Sequence, residues 1–355
     1  MKRIIVALVI TGLAASVVVT AALAKSERPS ATAQACVLLP DSKSSVRWET
    51  QDRRFLGAAF KKAGVSSTIV NAEGDAQRQK SQADTCLANG AKVVLLVNLD
   101  SGSGAAIEKA AAAKGAKTID YDRLTLAGSA SYYVSFDNVQ VGRLEGLAVV
   151  QGLIAAGKFG SKPVVAYLNG GPTDNNATLF KQGYASVIDP YFKSGTFKKG
   201  PDQSVPQWNN QTARTIFEQM LARTGNKIDA VAAANDGLGN AVAAALKAKK
   251  LKQIPVSGQD ATSQGVQNVL AGDQSGTVYK SIKLEAEAAA SLAISLIKKT
   301  KPAGVNGEVN DGKRNVPSVL LRPVLVTKDN YTVLFTEGFL KKSDVCNGIY
   351  KMYCK

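Results

Sequence analysis

The order of apolar and mixed segments along the chain predicts an alternating α/β fold. Short apolar runs, typical of buried strands, alternate with alanine-rich or amphipathic stretches, typical of helices. In the first half, strands are predicted at 36–39, 68–70, 92–97, 117–121 and 132–136. The helices of that half are predicted at 52–63, 75–88, 103–113 and 139–156. This alternation indicates βαβ units, which build a parallel sheet with helices on both faces.

The same rhythm restarts after residue 160 and predicts a second, similar half. Its strands are predicted at 163–168, 228–233, 255–258 and 276–279. Its helices are predicted at 178–187, 211–223, 238–249 and 263–271. A long helix at 282–299 and extended pieces at 318–321, 324–326 and 333–335 complete the chain. Two α/β lobes of ordinary domain size are therefore expected.

The N-terminal segment indicates export. Lys2 and Arg3 precede an apolar run over 4–24 that ends in Ala22, Leu23 and Ala24. This pattern predicts a secretory signal peptide at 1–24, and the protein is expected in the periplasm or on the outer face of the cell membrane. The run is also long enough to span a bilayer, so an uncleaved anchor is the alternative.

The composition is basic and lacks histidine. The chain has 44 Lys and Arg against 28 Asp and Glu, a formal net charge of +16. Its lysines are spread over predicted helix faces without an arginine-rich arm, so we expect a solvated basic surface and no nucleic-acid partner. The absence of histidine excludes histidine-dependent catalysis and histidine-ligated metal sites. We expect no enzymatic activity, no metal and no cofactor.

Four cysteines, without CxxC spacing, predict disulfides in an exported chain. Three connectivities are possible, and free thiols are the alternative. Pairing of Cys36 with Cys86 is favoured because the helix 75–88 runs back antiparallel to its strand, which brings its end near the start of the first strand. Pairing of Cys346 with Cys354 closes a short loop in the tail.

Polar and aromatic residues follow the predicted strands at the ends where parallel sheets bind ligands. Arg47 and Trp48 follow the first strand, and Asp122 and Arg123 follow the fourth. The other strand-end residues are Asp137, Asn138, Asp174, Asn175, Asn176, Trp208, Asn235, Asp236, Gln259, Asp260 and Lys280.

These side chains are the ones that a sugar site needs. Carboxylates, amides and guanidinium groups each span two vicinal hydroxyls, and an indole covers the apolar face of a pyranose. Both tryptophans of the chain lie in such loops. For any single Asp or Asn the alternative is a helix cap or a turn, where these residues are favoured. Taken together, the set predicts a monosaccharide site.

With these residues in order, the chain resembles the type I periplasmic binding proteins of sugar ABC transporters, and among them the D-xylose binders. The matching segments are RW at 47–48, DR at 52–53, YDR at 121–123, SFDN at 135–138, DNNATLF at 174–180, KIDAV at 227–231, AND at 234–236, SGQDA at 257–261 and TVYK at 277–280. The chain departs from the pattern after Trp48, where an extra residue places Gln51 in the position of a lysine that contacts the sugar in the xylose binders. It also departs in the reshaped connection 203–209 and in its additional cysteine-bearing tail.

The resemblance implies two Rossmann-like lobes joined by a three-segment hinge. The lobes are expected at 36–137 plus 281–323 and at 138–280 plus 324–355, with the hinge near 136–139, 279–283 and 322–326. The implied hinge residues are Asp137, Asn138, Tyr279 and Arg322. The expected sugar-binding residues are Arg47, Trp48, Asp122, Arg123, Asp174, Asn176, Trp208, Asn235, Asp260 and Lys280.

The expected function is the binding component of an ABC importer, a monomer that binds a monosaccharide, with D-xylose favoured, and delivers it to the permease. The alternative is a sugar-sensing subunit that docks on a chemoreceptor or a sensor kinase. A secreted enzyme that uses Asp122 and Asp174 as paired carboxylates is disfavoured, because Arg123 beside Asp122 would depress its pKa.

Overall fold

The computed structural model describes residues 33–354 of the 355-residue chain. The predicted signal peptide at 1–24 lies outside the described residues. The described part belongs to one compact unit that begins at Thr32. Its strands are β1 (Ala35–Leu39), β2 (Ser67–Asn71), β3 (Val93–Leu96), β4 (Lys117–Tyr121), β5 (Tyr132–Phe136), β6 (Val164–Asn169), β7 (Lys198–Ser204), β8 (Ala230–Ala233), β9 (Thr277–Tyr279), β10 (Gly307–Asn310), β11 (Asn315–Leu321) and β12 (Val324–Val326).

The α-helices of residues 33–354 lie largely between these strands. They are α1 (Arg53–Lys62), α2 (Ala76–Ala88), α3 (Ser101–Ala113), α4 (Asn138–Ala155), α5 (Asn175–Lys193), α6 (Asn210–Arg223), α7 (Asp236–Ala248), α8 (Ser263–Ala271), α9 (Ile282–Ile297), α10 (Val333–Thr336) and α11 (Lys342–Val345). Asp75, Asp100, Asp137, Asp174, Asn209 and Asn235 cap helix N-termini through their side chains. Each of these residues directly precedes its helix, and its side chain accepts a hydrogen bond from a backbone amide of the first turn, which has no partner within the helix.

The first lobe contains a seven-stranded sheet in the order β10-β11-β5-β4-β3-β1-β2, parallel except for β10. On one face, Leu56 and Phe60 of α1 pack in a common core with Leu292 of α9. On the other face, Ala83 of α2 and Ile107 of α3 form a second core. A parallel sheet with helices on both faces confirms the predicted fold class.

The second lobe repeats this plan with a smaller sheet of three strands. Strands β7, β6 and β8 are parallel in that order, and Val231 forms an isolated bridge with Val256. Gln259 bridges to Val278 of β9, which pairs antiparallel with β12. Buried residues of α4 to α7 pack around these strands in one core.

The chain passes between the lobes three times. β5 of the first lobe is followed by α4 of the second, β9 by α9, and β11 by β12. The crossings lie at 136–138, 279–282 and 321–324. A hinge role for these segments, and the lobe limits at 137/138, 280/281 and 323/324, stay predictions.

Some predicted elements are wrong or incomplete. Residues 333–335, predicted as extended, form helix α10, because three apolar residues fit either structure and Leu334 is buried in a helical turn. The predicted strand 255–258 is reduced to the bridge at Val256. Edge strand β7 was not predicted, since KKGPDQS has no apolar alternation and its proline is tolerated at a sheet edge. Strand β10 and the end of α5 were also missed.

Both predicted disulfides are confirmed. Cys36 of β1 is bonded to Cys86 of α2, and Cys346 is bonded to Cys354. The tail that carries the second disulfide ends in a 3₁₀ helix, Gly348–Tyr353, which packs with α11 against α8.

Candidate functional site

The ten predicted sugar-binding residues border one cleft between the lobes. The open space of the cleft is about 340 Å³, including the part in contact with solvent. The first lobe contributes lining residues that follow β1 and β4. The second lobe contributes residues that follow its own strands, and Lys280 lies at a crossing between the lobes. The lining residues are Ser44, Ser45, Arg47, Trp48, Asp122, Arg123, Asp174, Asn176, Phe180, Trp208, Asn235, Gln259, Asp260 and Lys280.

Asp122 and Asp260 occupy equivalent places in the two lobes. Asp122 follows β4, Asp260 follows the isolated bridge at Gln259, and both have a left-handed backbone, with φ of 63° at Asp122 and 91° at Asp260. The Asp122 amide donates to the Val134 carbonyl at 2.8 Å, and the Asp260 amide donates to the Val278 carbonyl at the same distance. Left-handed residues other than glycine are strained, so both lobes hold a carboxylate towards the cleft at a conformational cost.

Arg47 is the centre of the first lobe's polar cluster. Its guanidinium donates to both oxygens of Asp52 at 2.9 Å, to Asp122 Oδ2 at 2.8 Å and to Glu285 Oε2 at 2.6 Å. Tyr121 adds a hydrogen bond to Asp52 at 2.5 Å. Arg47 is therefore held in one orientation, and its charge is already neutralised by carboxylates.

The carboxylates of this cluster differ in their pKa. Burial would raise the pKa of Asp122, but the charges of Arg47, Lys280 and Arg123 outweigh burial and lower it. Burial raises the pKa of Glu285 well above its ordinary value in spite of Arg47. Glu285 Oε1 is buried and makes no hydrogen bond within residues 33–354. The charged form is thus favoured more at Asp122 than in an isolated aspartate, and less at Glu285 than in an isolated glutamate.

Arg123 and Asp174 connect the two lobes directly. Arg123 Nε lies 3.0 Å from Asp174 Oδ2, and the Trp208 indole donates to the same oxygen at 3.2 Å. The other oxygen of Asp174 accepts a hydrogen bond from the backbone amide of Asn176 at the start of α5. Asp174 therefore serves both as a helix cap and as a partner for groups that face the cleft.

Asn176 makes the second set of contacts between the lobes. Its Nδ2 donates to the carbonyl and to Oδ1 of Asp122, at 3.0 and 3.1 Å. Its Oδ1 accepts from Asn138 Nδ2 at 2.9 Å. This series of hydrogen bonds links the first crossing to both walls of the cleft.

The two tryptophans lie on opposite walls. The Trp48 ring centroid is 4.4 Å from Arg47 Cζ and 5.7 Å from Arg123 Cζ. The Trp208 ring packs edge-to-face with Phe180 at 6.3 Å between centroids. Trp208 itself has a left-handed backbone with φ of 56°. The walls thus offer indole rings beside paired ions, an arrangement suited to a ligand with apolar faces and hydroxyl edges.

The remaining predicted ligands lie near Lys280. Its Nζ is 3.3 Å from Asp260 Oδ1, and burial, which would lower the pKa of Lys280, is outweighed by Asp260 and Asp122, which raise it. Asn235 caps α7 by accepting from the Leu238 amide, so its other side-chain atoms remain at the cleft wall.

The predicted hinge residues have varied surroundings. Asp137 caps α4 by accepting from the Gln140 amide at 2.9 Å. Asn138 is buried beside Asn176, and the Tyr279 hydroxyl donates to Glu337 at 2.8 Å. Arg322 is exposed after β11. Each lies at or beside a crossing, and their part in lobe motion stays a prediction.

Some lining residues were not predicted. Ser44 and Ser45 belong to the loop that carries Arg47, and their short polar side chains gave no distinct signal. Phe180 follows Asn176 by one helical turn on α5, and this spacing would have indicated it. Gln259 was noted at its strand end but not assigned to the sugar. Gln51, the departure from the xylose pattern, does not line the cleft.

Two further properties concern residues 33–354 only. No group of three or more Cys, Asp and Glu side chains is arranged to hold a metal ion in that range. None of its helices combines the length and apolar character that crossing a membrane requires.

Comparisons with known proteins identify related sequences and a related fold. A profile of the periplasmic binding protein domain matches residues 36–301. The chain is 34% identical over 301 residues to the D-xylose-binding periplasmic protein of Escherichia coli K12, covering 84% of this chain and 88% of that protein. It is 31% identical over 319 residues to the multiple sugar-binding periplasmic receptor ChvE of Rhizobium radiobacter, covering 85% and 89%. A solved ABC transporter solute-binding protein of Clostridium phytofermentans with bound β-D-glucose has a TM-score of 0.80 and 28% identity, covering 88% and 99%.

Proposed function

The chain belongs to the family of periplasmic binding proteins, as its sequence predicted, and from this premise we propose that it is the sugar-binding component of an ABC importer. It binds a neutral monosaccharide in the cleft and delivers it to the permease. The matched relatives are periplasmic binding proteins, not enzymes. The proposal therefore includes an exported location and no catalysed step.

The ion pairing of the cleft carries the proposal. Arg47, Arg123 and Lys280 are each within 3.3 Å of a carboxylate. With every one of these lining cations paired, an anionic ligand would find no free cation to compensate its charge, whereas hydroxyls can both donate and accept among fixed ions. The two indoles supply the apolar contact that a sugar ring needs.

D-xylose is the proposed ligand among neutral sugars. The segments that resemble xylose binders include most of the lining, and the Escherichia coli relative is named for D-xylose. Gln51, at the position of the sugar-contacting lysine of the xylose binders, lies off the cleft wall, so the cleft lacks that contact. Other relatives support a broader choice, since one is named as a multiple sugar-binding receptor and one contains β-D-glucose.

Closure of the lobes is the proposed signal to the permease. The contacts of Arg123 with Asp174 and of Asn176 with Asp122 exist only when the walls are close. A ligand that joins both walls adds to these contacts, so the closed shape reports occupancy.

Isothermal titration calorimetry tests the proposal with D-xylose, D-glucose, D-ribose and the acid sugars D-xylonate and D-glucuronate. We expect micromolar or tighter binding of a neutral aldose, tightest for D-xylose, and at least about a hundredfold weaker binding of its acid counterpart. Absence of heat with every aldose at millimolar concentration would overturn the sugar assignment. Tighter binding of an acid sugar would overturn the charge argument.

A sensory role is the second candidate, because the Rhizobium relative is named a receptor. It predicts that the sugar-loaded protein binds the periplasmic domain of a chemoreceptor or sensor kinase. Pull-down with and without the sugar separates this role from delivery to a permease alone.

A further inference from the structure

The C-terminal loop displays apolar side chains to solvent. Ile349 is 73% exposed, Met352 78% and Tyr353 42%. All three lie on the 3₁₀ helix Gly348–Tyr353, inside the loop closed by the disulfide between Cys346 and Cys354. The sugar site does not involve this loop, so its exposure needs a separate explanation.

The helix geometry gathers Ile349 and Met352 into a ridge. A 3₁₀ helix has three residues per turn, so side chains at i and i+3 lie above one another. Ile349 and Met352 therefore share one face, and Lys351 lies on another. Tyr350 shares the third face with Tyr353 and points to the body of the protein, where its hydroxyl accepts from Gln264 Nε2 at 3.2 Å.

The ridge is fixed to the second lobe. Gln267 Nε2 of α8 donates to the Val345 carbonyl at 3.0 Å, and the Val345 side chain is fully buried beside Leu334. The disulfide closes the loop on the other side. An apolar ridge held in this way would lose little conformational freedom on insertion into another medium.

Basic residues accompany the ridge. Lys351 lies within the 3₁₀ helix and Lys341 just before α11, and both are exposed. The whole chain carries a formal charge of +16. Exposed apolar side chains with a lysine on the same short helix complement the anionic headgroups and the acyl boundary of a membrane surface.

We propose that the stapled loop, residues 346–354, docks on the surface of an anionic lipid bilayer and inserts Ile349 and Met352 at the interface. Two or three side chains are few for a stable protein partner, which typically needs about 800 Å² from each side. Tyr353 has the amphipathic ring that favours the interface region.

The position of the loop relates the proposed membrane contact to the cleft. α8 begins beside Asp236, whose Oδ2 accepts from the Thr262 amide at 2.7 Å, at the same end of the sheet as Asn235 and the cleft. Membrane contact through the loop would therefore hold the cleft end of the second lobe close to the bilayer. The proposal is independent of which ligand the cleft binds.

Vesicle flotation tests the proposal with the chain from Thr32 onward, which forms one compact unit and lacks the apolar N-terminal run. Phosphatidylcholine vesicles with phosphatidylglycerol are compared with phosphatidylcholine alone. We expect binding to the anionic vesicles that falls at least about tenfold in the I349S/M352S variant. Ile154→Ser, a 58% exposed isoleucine on α4, is the matched control and should bind as the wild type does.

A charge variant separates the basic contribution. Lys351→Gln should weaken binding to anionic vesicles by about fivefold, with less effect at high salt, whereas Lys61→Gln on α1 should not. Unchanged thermal midpoints and sugar titrations verify that each variant is folded. The proposal is overturned if the wild type fails to float with anionic vesicles, or if the I349S/M352S variant floats equally well. It is also overturned if the loop variant loses only self-association or capture by detergent-solubilised permease, since the occupant is then a protein.

Discussion

Gly170 and Trp208 illustrate how single residues shape the cleft. A Cβ atom at position 170 would overlap with the benzo edge of the Trp208 ring. Gln207 and Trp208 both have a left-handed backbone, with φ of 55° and 56°. The loop is therefore strained in order to place the indole against a position that only glycine leaves free.

Gly170→Ala should displace the indole and lower sugar affinity by about tenfold or more, because Trp208 would lose both its packing and its bond to Asp174. Calorimetry measures the affinity, and tryptophan fluorescence reports the ring's surroundings. Gly160→Ala is the control, since a Cβ atom there meets no atom within 4 Å. Wild-type affinity and emission in Gly170→Ala would contradict this account of the wall.

Asp236 predicts a pH dependence of stability. Its carboxyl is fully buried, and burial raises its pKa from 3.8 to about 7. The charge of Asp260 adds to this rise, whereas the hydrogen bonds from Thr262 and Gln274 lower the pKa and offset part of it. The folded state thus retains a proton that the unfolded chain has released. The stability contribution of the protonated form is complete below pH 4 and is lost as the pH rises to about 7.

The wild type should therefore lose on the order of 4 kcal/mol of unfolding free energy from this group between pH 4 and pH 7, and Asp236→Asn should lack that part of the slope. Urea unfolding at a series of pH values measures both proteins. Asp84→Asn, at an exposed carboxylate paired with Lys80, serves as the control and should keep the wild-type slope. Parallel curves for wild type and Asp236→Asn would show that the buried carboxyl does not titrate in this range.

At the scale of elements, α4 and α5 approach so closely that their backbones touch. A Cβ atom at Gly142 would overlap with the Phe180 carbonyl, and one at Gly183 would overlap with the Val139 carbonyl. α4 follows the first crossing, and α5 carries Asn176 and Phe180 to the cleft. The position of the second wall therefore depends on this contact between the two helices.

Gly142→Ala should push α5 away from α4, with a loss of about 1–3 kcal/mol in stability and a parallel loss of sugar affinity. Thermal unfolding and calorimetry measure the two effects. Gly160→Ala is again the control, because a Cβ atom there meets no atom within 4 Å. A stable variant with unchanged affinity would mean that the helices can separate without moving Asn176.

The elements also show what the sequence could predict. Apolar runs such as those of β1 and β3 are buried strands in the structure. The sequence could predict them because the residues that pair with neighbouring strands are the same residues that are buried. Strand β7 and the reshaped turn at Trp208 depend on tertiary packing against β6 and Gly170, which local pattern does not contain. The polar residues at strand ends predicted most of the cleft lining, but they did not predict Glu285, whose contact with Arg47 spans 238 positions.

For the whole molecule, the proposed opening and closing of the lobes would depend on a few charged contacts between them. Arg123 and Asp174 are 8% and 6% exposed and 3.0 Å apart, with Asp174 also bonded to Trp208. Loss of one partner leaves the other charge buried unless the lobes separate and water enters. We expect separation to be the cheaper response, because the connections between the lobes are three short crossings.

Asp174→Asn should therefore favour the open shape and weaken sugar binding by about tenfold or more. Small-angle X-ray scattering without sugar should give a larger radius of gyration for the variant than for the wild type, and saturating sugar should reduce the difference. Asp202→Asn removes a carboxylate that pairs with Lys181 inside the second lobe and should leave both shape and affinity unchanged. Equal radii for Asp174→Asn and wild type, together with weakened binding, would assign Asp174 to the ligand alone, so that closure must depend on the contact between Asn176 and Asp122.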